Sequence, residues 1–335
     1  MTGTPEGRLP LAGSHVHRRR VIAVVGPTAV GKTAVAEGLA RELGGEIVSA
    51  DSMQIYRGMD VGTAKPPPAS RSVPYHLIDV ADPGQPFSAA LYQSLARAAI
   101  DDIASRGHPA IVCGGTGLYV RAALDDLRFP AGEQISKHRR ELDALAAEVG
   151  PEALHERLAR LDPESAALIH PNNVRRTVRA LEMAEEGVSY ASQAAGLAHR
   201  RPYYPATFLG LQMPRERLYE RIDDRVDAMI EGGLLEEVRS LLAAGFRQAL
   251  TAQQAIGYKE FVPVLEEGAS LEEAVEAVKQ ATRRYAKRQL TWFRADPRVH
   301  WIDLYGDSGS KSDRAAVSNA VQAALAFLKR PVSDS

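Results

Sequence analysis

The residues with the clearest chemical meaning form the octapeptide GPTAVGKT, residues 26–33. It matches G-x-x-x-x-G-K-[ST], in which glycines let successive backbone N–H groups surround a pyrophosphate at a helix N-terminus. Lys32 would place a cation on the outer phosphate, and the Thr33 hydroxyl would occupy one coordination position of a Mg²⁺ ion. A glycine turn without a ligand is the alternative, but strand, loop and helix follow in the right order. The motif therefore predicts a ligand with at least two phosphates and leaves open what they carry.

Two further stretches place reactive side chains directly after apolar runs. Residues 46–51 read as a buried strand that ends on an acid, Asp51. Residues 110–113 form another apolar run, which leads into a Gly-Gly-Thr-Gly sequence containing Thr116. Glycines at a strand end let a ligand approach the backbone closely, although they can also simply make a tight turn into the next helix. The sequence thus predicts a loop, a carboxylate and a hydroxyl at three strand ends.

The elements that must position these groups alternate between strands and helices. This alternation is typical of an α/β fold with a phosphate loop and a doubly wound, mainly parallel sheet, in which ligands gather beyond the carboxyl ends of the strands. We predict strands at residues 21–25, 46–51, 75–80, 110–113, 203–213 and 299–304. We predict helices at 33–43, 88–106, 215–233, 234–245, 270–293 and 315–328, with Ser88 and Ser270 as N-caps, and a further helix around Gly257 within 251–261.

The chain changes character after residue 129, where helical periodicity is broken only at Gly150-Pro151, Asp162-Pro163 and Pro171. Strand-bearing segments flank this region, so we predict an inserted all-helical subdomain. The predicted organisation is a disordered N-terminal tail at 1–20, a catalytic core at 21–128 and 203–305, the helical insertion at 129–202, and a linker with a C-terminal helix at 306–335.

Arginines cluster in three of the predicted helical segments. Helical spacing brings Arg175, Arg176 and Arg179 together on one surface, and Arg217, Arg221 and Arg225 repeat every four residues. Residues 283–294 interleave basic and aromatic side chains, which suits a nucleic-acid face. Solvated arginines paired with neighbouring acids, or aromatic residues anchored in a core, are the ordinary explanations. Contact with phosphates is the functional alternative.

The composition limits what these clusters can mean. The 335 residues carry a formal net charge of -1, so a nucleic acid would have to bind a local patch. The single cysteine, Cys113, should be a buried small hydrophobe, and it excludes an intrachain disulfide and the usual zinc-finger sites. No apolar run approaches the roughly 18 residues that span a bilayer, and residues 1–20 lack the apolar core of a signal peptide. We therefore expect a cytoplasmic protein without membrane contact. We also expect it to be a monomer.

Several segments together resemble the bacterial tRNA dimethylallyltransferases, also called tRNA isopentenyltransferases. They are GPTAVGKT, SADSMQIYRGMDVGTAKP, HLIDV, CGGTGLY, IHPNNVRRTVRALE, TAQQAIGYKE and RRYAKRQLTWFR, spread between residues 21 and 304. The resemblance implies that the loop holds the pyrophosphate of dimethylallyl diphosphate. It also implies that the acceptor is the N6 amine of the adenosine 3′-adjacent to the anticodon in certain tRNAs, and that the helical insertion grips the anticodon stem-loop.

The resemblance assigns roles to individual residues. Asp51 would be the general base for the amine, Thr116 would hydrogen-bond the bridging oxygen of the leaving diphosphate, and Arg221 would help to neutralise it. Diphosphate binding would involve Gly26, Thr28, Ala29, Val30, Gly31, Lys32 and Thr33. Contacts to tRNA would involve Asp51, Ser52, Met53, Gln54, Arg175, Arg176, Thr177, Val178, Arg179, Gln254, Ala255, Ile256, Gly257, Tyr258 and Lys259.

Other functions remain open on the sequence. A small-molecule kinase would use the same loop for a nucleoside triphosphate, and nucleotide dependence would reveal it. A non-catalytic RNA-binding module would keep the loop for structure alone, and measurable diphosphate release would exclude it. A prenyltransferase acting on free adenine nucleotides would share the loop and the acid, and competition between AMP and tRNA would distinguish it.

Overall fold

The computed structural model of the chain describes residues 21–129, 136–249, 251–305 and 312–330. Its strands are β1 (Val21–Val25), β2 (Glu46–Ser49), β3 (Tyr75–His76), β4 (Ala110–Gly114), β5 (Ala206–Gln212) and β6 (Val299–Asp303). They form a single sheet in the order β3-β2-β4-β1-β5-β6, and every pair of neighbours is parallel. This topology confirms the predicted doubly wound α/β fold.

Helices connect the strands and surround the sheet. They are α1 (Lys32–Leu43), α2 (Ala89–Ser105), α3 (Gly117–Leu124), α4 (Lys137–Leu161), α5 (Pro163–Leu168), α6 (Val174–Glu185), α7 (Tyr190–Ala198), α8 (Arg215–Glu231), α9 (Leu234–Ala243), α10 (Val262–Glu266), α11 (Leu271–Arg294) and α12 (Asp313–Leu328). Both predicted N-caps are confirmed, since Ser88 Oγ accepts from the Leu91 N–H at 3.0 Å and Ser270 Oγ accepts from the Glu273 N–H at 3.2 Å. Among these described helices, none has the length and apolarity needed to cross a membrane.

The core follows from the alternation of side chains along the strands. Val21, Ala23 and Val25 of β1 join an apolar cluster on one face of the sheet, and Ile22 and Val24 join a second cluster on the other. Helices cover both faces of the sheet, so the sequence of β1 is a continuous apolar run instead of an alternation of apolar and polar residues. Cys113 of β4 is buried within the second cluster, which confirms its predicted character.

The helices α4 to α7 lie in sequence between α3 and β5 and carry an apolar cluster of their own. It contains Leu142, Leu154, Leu158, Val178 and Leu181. α4 is broken at Gly150, whose φ of 81° is not helical, and the breaks predicted near Asp162 and Pro171 separate α4 from α5 and α5 from α6. The fold therefore includes the predicted helical insertion, while its limits at residues 129 and 202 stay predictions. Residues 130–135, the predicted tail at 1–20 and linker residues 306–311 lie outside the described residues.

The strand predicted at residues 75–80 is shorter than expected. It ends at His76 because Leu77 and Asp79 take positive φ angles of 62° and 59°. Lys65 explains the turn, since its buried ammonium donates to Asp79 Oδ1 at 2.6 Å and to the Tyr56 carbonyl at 2.8 Å. A buried ammonium requires hydrogen-bond partners, and the bond to Asp79 turns the chain away from the sheet after His76.

The helix predicted around Gly257 is wrong. The segment forms one short 3₁₀ turn at Ala252–Gln254 and then a series of turns. Gly257 has a φ of 89°, which a right-handed helix does not allow, and its N–H donates at 2.9 Å to the Glu260 carboxylate. The glycine supplies a left-handed turn in place of a close helix contact.

Candidate active site

Three adjacent strands of the sheet, β2, β4 and β1, end at one edge. Asp51 follows β2, Thr116 follows β4, and the phosphate loop follows β1. The Ser52 N–H donates to Thr116 Oγ1 at 3.1 Å and thereby joins the first two loops. The structure thus brings together the loop, the carboxylate and the hydroxyl that the sequence predicts at the carboxyl ends of the strands.

The phosphate loop is shaped by residues with positive φ: 143° at Gly26, 63° at Ala29 and 101° at Gly31. A Cβ atom on Gly26 would lie 2.7 Å from the Leu211 carbonyl oxygen, so this position requires glycine. Lys32 begins α1, and its Nζ donates to the Pro27 carbonyl at 2.6 Å. The loop therefore combines a helix N-terminus with a cation held over it, which is a binding site for an anion.

Gln289 of α11 fastens the phosphate loop to the loop that carries Thr116. Its Oε1 accepts from the Thr28 N–H at 2.8 Å, and its Nε2 donates to the Gly115 carbonyl at 2.9 Å. A Cβ atom on Gly115 would lie 2.2 Å from Gln289 Nε2, so a larger residue here would displace the amide that bridges the two loops. The sequence does not reveal this role, because a glutamine on an amphipathic helix does not indicate which distant loops it bridges.

The smaller of two cavities at this edge measures about 60 Å³ and lies against the phosphate loop, where Lys32 and Thr33 line it. A larger cavity of about 450 Å³ extends between α8 and α11. Thr28, Asp51 and Arg225 line both. Apolar side chains of the larger cavity include Ile222, Val226, Met229 and Val278. The crevice thus has an anionic-ligand end and a largely apolar end, with Asp51 at their junction.

Asp51 is held by the backbone that follows it. Its Oδ1 accepts from the N–H of Met53 at 2.9 Å and from the N–H of Gln54 at 3.4 Å. These are the hydrogen bonds that the described residues make to the Asp51 carboxylate, and both use Oδ1. Oδ2 is therefore the oxygen that can accept a proton from a ligand in the crevice.

The arginines of α8 differ in position. Arg221 Nε donates to the Ala29 carbonyl at 2.9 Å, and its guanidinium pairs with Asp313 of α12. Arg221 therefore contacts the phosphate loop without lining either cavity. Arg225 lines both cavities and donates through Nη2 to the Thr63 carbonyl at 3.2 Å. Burial lowers the pKa of Arg225. The arginine beside Asp51 is thus Arg225, one helical turn beyond Arg221, which the four-residue repeat could not distinguish.

The residues predicted to contact tRNA fall into three groups. Ser52, Met53, Gln254, Ala255, Ile256, Gly257, Tyr258 and Lys259 line the larger cavity. Arg175 and Arg176 are exposed on α6, whereas Arg179 donates to Glu182 Oε2 at 3.4 Å. Thr177 and Val178 are fully buried, so their side chains face the interior of the insertion. Gln54 lies at the smaller cavity, where its Nε2 donates to the Thr63 carbonyl at 3.3 Å.

Lys32 has an unusual electrostatic environment. Burial lowers the pKa of Lys32 from its ordinary value of 10.5 to about 8, and the positive charge of Arg225 acts in the same direction. The carboxylate of Asp51 opposes this shift but does not cancel it. The ammonium is therefore charged at neutral pH and loses its proton within the accessible alkaline range.

This pKa predicts how pH controls anion binding. As pH rises through about 8, Lys32 becomes neutral, and the affinity for inorganic diphosphate should fall. A Lys32→Arg variant keeps its charge throughout, so its affinity should not show this fall. Calorimetric titration at pH values from about 7 to 9.5 measures both, and comparison between the two proteins removes the titration of diphosphate itself. An identical pH dependence in the two proteins would contradict the assignment.

Two family models match the chain: one described as IPP transferase covers residues 54–296, and one described as isopentenyl transferase covers residues 19–72. The tRNA dimethylallyltransferase of Geobacillus thermodenitrificans is 52% identical over 287 residues, which cover 85% of this chain and 90% of that protein. The tRNA dimethylallyltransferase of an Exiguobacterium species is 48% identical over 311 residues, or 92% of this chain and 97% of that protein.

Solved structures give the same result. The tRNA isopentenylpyrophosphate transferase of Bacillus halodurans superposes with a TM-score of 0.64 at 40% identity, covering 93% of this chain and 99% of that one. A eukaryotic dimethylallyltransferase acting on tRNA superposes with a TM-score of 0.76 at 29% identity, covering 94% of this chain and 81% of that one. The resemblance found in the motifs is thus confirmed over most of the length. The chain belongs to the tRNA dimethylallyltransferase family.

Proposed function

We propose that this protein transfers the dimethylallyl group of dimethylallyl diphosphate to the N6 amine of the adenosine 3′-adjacent to the anticodon in certain tRNAs, and releases diphosphate. One observation carries this proposal: Asp51 lies where the phosphate-loop cavity meets the larger, largely apolar cavity. A carboxylate at that junction lies between a leaving diphosphate on one side and an acceptor base on the other.

The diphosphate end would stabilise the leaving group. The allylic C–O bond breaks readily only if the negative charge that develops on diphosphate is stabilised. The phosphate loop would supply backbone N–H groups and Lys32, and Arg225 lies beside it. The Thr116 hydroxyl accepts from the Ser52 N–H and donates to Ser52 Oγ at 3.3 Å, and it would turn to donate to the bridging oxygen. The electron pair of the broken bond then stays with diphosphate.

The same cavity offers the donor types that Mg²⁺ prefers. Thr33 contributes a hydroxyl, Asp51 a carboxylate, and Gln54 an amide oxygen, all of them hard oxygen donors. Within the described residues no group of three His, Cys, Asp or Glu side chains is placed to hold a metal by itself. We therefore propose that Thr33 would hold the ion together with oxygens of the diphosphate. When bound, Mg²⁺ would supply positive charge to the leaving group.

The larger cavity would receive the dimethylallyl group and the acceptor base. Val226, Met229 and Val278 provide apolar surface suited to a five-carbon chain. A stacked base cannot reach the junction, so the adenosine must be extruded from its loop. Its N6 amine is a weak nucleophile, because the lone pair is delocalised into the ring. As the C–N bond forms, Asp51 would accept the N6 proton, which balances the charge left with diphosphate.

The RNA would be recognised outside the crevice as well. Arg175 and Arg176 lie exposed on the helical insertion, where they would contact phosphates of the anticodon stem-loop. We further propose that the enzyme acts in the cytoplasm as a monomer. Sizing of the protein alone and with one equivalent of stem-loop RNA tests the monomer, since a dimer would elute with twice the expected mass.

The exposed arginines predict a salt-dependent interaction. Replacing Arg175 and Arg176 by alanine should weaken stem-loop binding and reduce the slope of log K against log salt by about 0.7 to 0.9 per lost phosphate contact. Fluorescence anisotropy at several salt concentrations measures both quantities. An Arg239→Ala variant is the matched control, because Arg239 is exposed on α9 and pairs with Glu236. Equal slopes in all three proteins would exclude phosphate contacts at Arg175 and Arg176.

Transfer of radiolabelled dimethylallyl from its diphosphate to a synthetic anticodon stem-loop tests the proposed function. We expect label in the RNA with Mg²⁺ present and ATP absent. An excess of AMP should not compete, because AMP lacks the contacts to the helical insertion. ATP turnover on another acceptor without RNA labelling would indicate a kinase, and preferential labelling of AMP would indicate an enzyme for free nucleotides.

A further inference from the structure

Glu237 of α9 lines neither cavity, yet its carboxylate accepts four hydrogen bonds. Oε2 accepts from the N–H groups of Asp60 and Val61 at 2.9 and 2.8 Å. Oε1 accepts from the Gly62 N–H at 3.1 Å and from the Tyr258 hydroxyl at 2.6 Å. Successive N–H groups that converge on one anion form a backbone nest, here filled by a side chain of the protein itself.

These bonds join two segments that are far apart in the sequence. The turn at residues 60–62 follows the Asp51 loop, and Tyr258 belongs to the 254–259 segment that lines the larger cavity. The two segments also touch directly, because a Cβ atom on Gly62 would lie 2.5 Å from the Tyr258 ring. Burial, together with the charge of Glu237, raises the pKa of the Tyr258 hydroxyl, which therefore stays protonated and donates.

The turn at residues 60–62 is also connected to the crevice. Residue Thr63 follows Gly62, and its carbonyl accepts from Arg225 Nη2 at 3.2 Å and from Gln54 Nε2 at 3.3 Å. Gln54 is one of the two residues whose N–H groups hold Asp51. A displacement of the turn would therefore also shift Arg225 at the diphosphate end and the loop that carries Asp51.

We propose that Glu237 is a positioning residue that fixes both ends of the crevice: the turn that holds Arg225 through Thr63, and the Tyr258 segment on the acceptor side. This inference rests on the proposed function. Glu237 touches neither substrate and acts through the residues that do. A carboxylate is required because four donors converge on it, whereas an amide would direct its own N–H groups at some of them.

Kinetics of Glu237→Gln, Tyr258→Phe and Glu236→Gln test this role. Glu236 is the matched control, because it is adjacent, exposed and paired with Arg239. In Glu237→Gln the KM values for dimethylallyl diphosphate and for stem-loop RNA should both rise about tenfold. Tyr258→Phe removes one bond and keeps the ring packed on Gly62, so only the KM for RNA should rise, by about threefold. Glu236→Gln should match the wild type.

A merely structural role would give a different pattern. It would lower the rate in proportion to the folded fraction, measured by circular dichroism, and leave both KM values unchanged, which would overturn the proposal. If Glu237→Gln does not fold, Tyr258→Phe decides, because an unchanged KM for RNA contradicts the proposed clamp. Inorganic diphosphate should also bind more weakly to Glu237→Gln, which is measurable without transfer. Failure of the wild type to label RNA would count against the proposed function, whereas normal wild-type transfer with unchanged variants would count against Glu237 alone.

Discussion

Replacing Asp51 by alanine is expected to lower kcat for prenyl transfer by about 10²- to 10⁴-fold, the range that general bases contribute. The affinity for the anticodon stem-loop should stay nearly intact. The physical reason is the position of Oδ2, since Oδ1 is already bonded to the N–H groups of Met53 and Gln54. Single-turnover transfer at saturating RNA, together with anisotropy for RNA binding, separates the two quantities.

Asp51→Asn is the control for this experiment. Its amide oxygen can still accept from the Met53 and Gln54 N–H groups, so the local loop structure is retained, but it cannot take a proton. We expect it to be as inactive as the alanine variant. Nearly normal turnover in Asp51→Asn would show that the carboxylate only shapes the loop. Loss of RNA binding in Asp51→Ala at unchanged turnover would equally contradict the assignment as base.

The second large effect is expected at Arg225. Arg225→Ala should lower kcat by about 10²- to 10³-fold, because it removes a cation that stabilises charge as diphosphate leaves. Arg225 lines both cavities, and its guanidinium is oriented by the Thr63 carbonyl. Arg221→Ala removes the same side chain one turn earlier, where it contacts the Ala29 carbonyl and Asp313. We expect it to cost less than about tenfold.

Rapid-quench measurement of the transfer step compares these two variants directly. Arg225→Lys provides a folding control, since it keeps the charge but loses the planar fork, and it should recover part of the rate. If Arg221→Ala proves the more damaging of the pair, the role that the motif resemblance gave to Arg221 holds, and the geometric argument for Arg225 fails.

Much of the fold was predictable because its signals are local. Apolar runs, helical periodicity and the serines at helix starts predict the described strands, the helices α1, α2, α8, α9, α11 and α12, and the helical character of the insertion, but not α3 or α10. Ser88 and Ser270 cap as expected. One error occurs where a partner elsewhere in the chain overrides the local pattern, and the other where a glycine adopts a backbone conformation that a helix does not allow. Lys65 draws Asp79 out of the third strand, and Gly257 turns the chain with a left-handed φ. Periodicity contains no information about either.

The residues of the site likewise divide into those that local sequence signals reveal and those that they do not. A contiguous motif reveals the phosphate loop, and Asp51 and Thr116 could be placed because parallel strands end at one edge. The residues that join these loops could not be found in the same way. Gln289 lies 261 positions from Thr28, and Glu237 lies 177 positions from Asp60. Such pairs are defined by the packing of α9 and α11 against the loops, which no spacing along the chain reveals.

A crystal structure with stem-loop RNA and a non-hydrolysable analogue of dimethylallyl diphosphate would show whether Asp51 lies between the two substrates. We expect the diphosphate on the phosphate loop and the extruded adenine in the larger cavity, with its N6 amine about 3 Å from Asp51 Oδ2, within hydrogen-bond reach of a general base. An adenine bound elsewhere, or a diphosphate away from Lys32 and Arg225, would contradict this expectation.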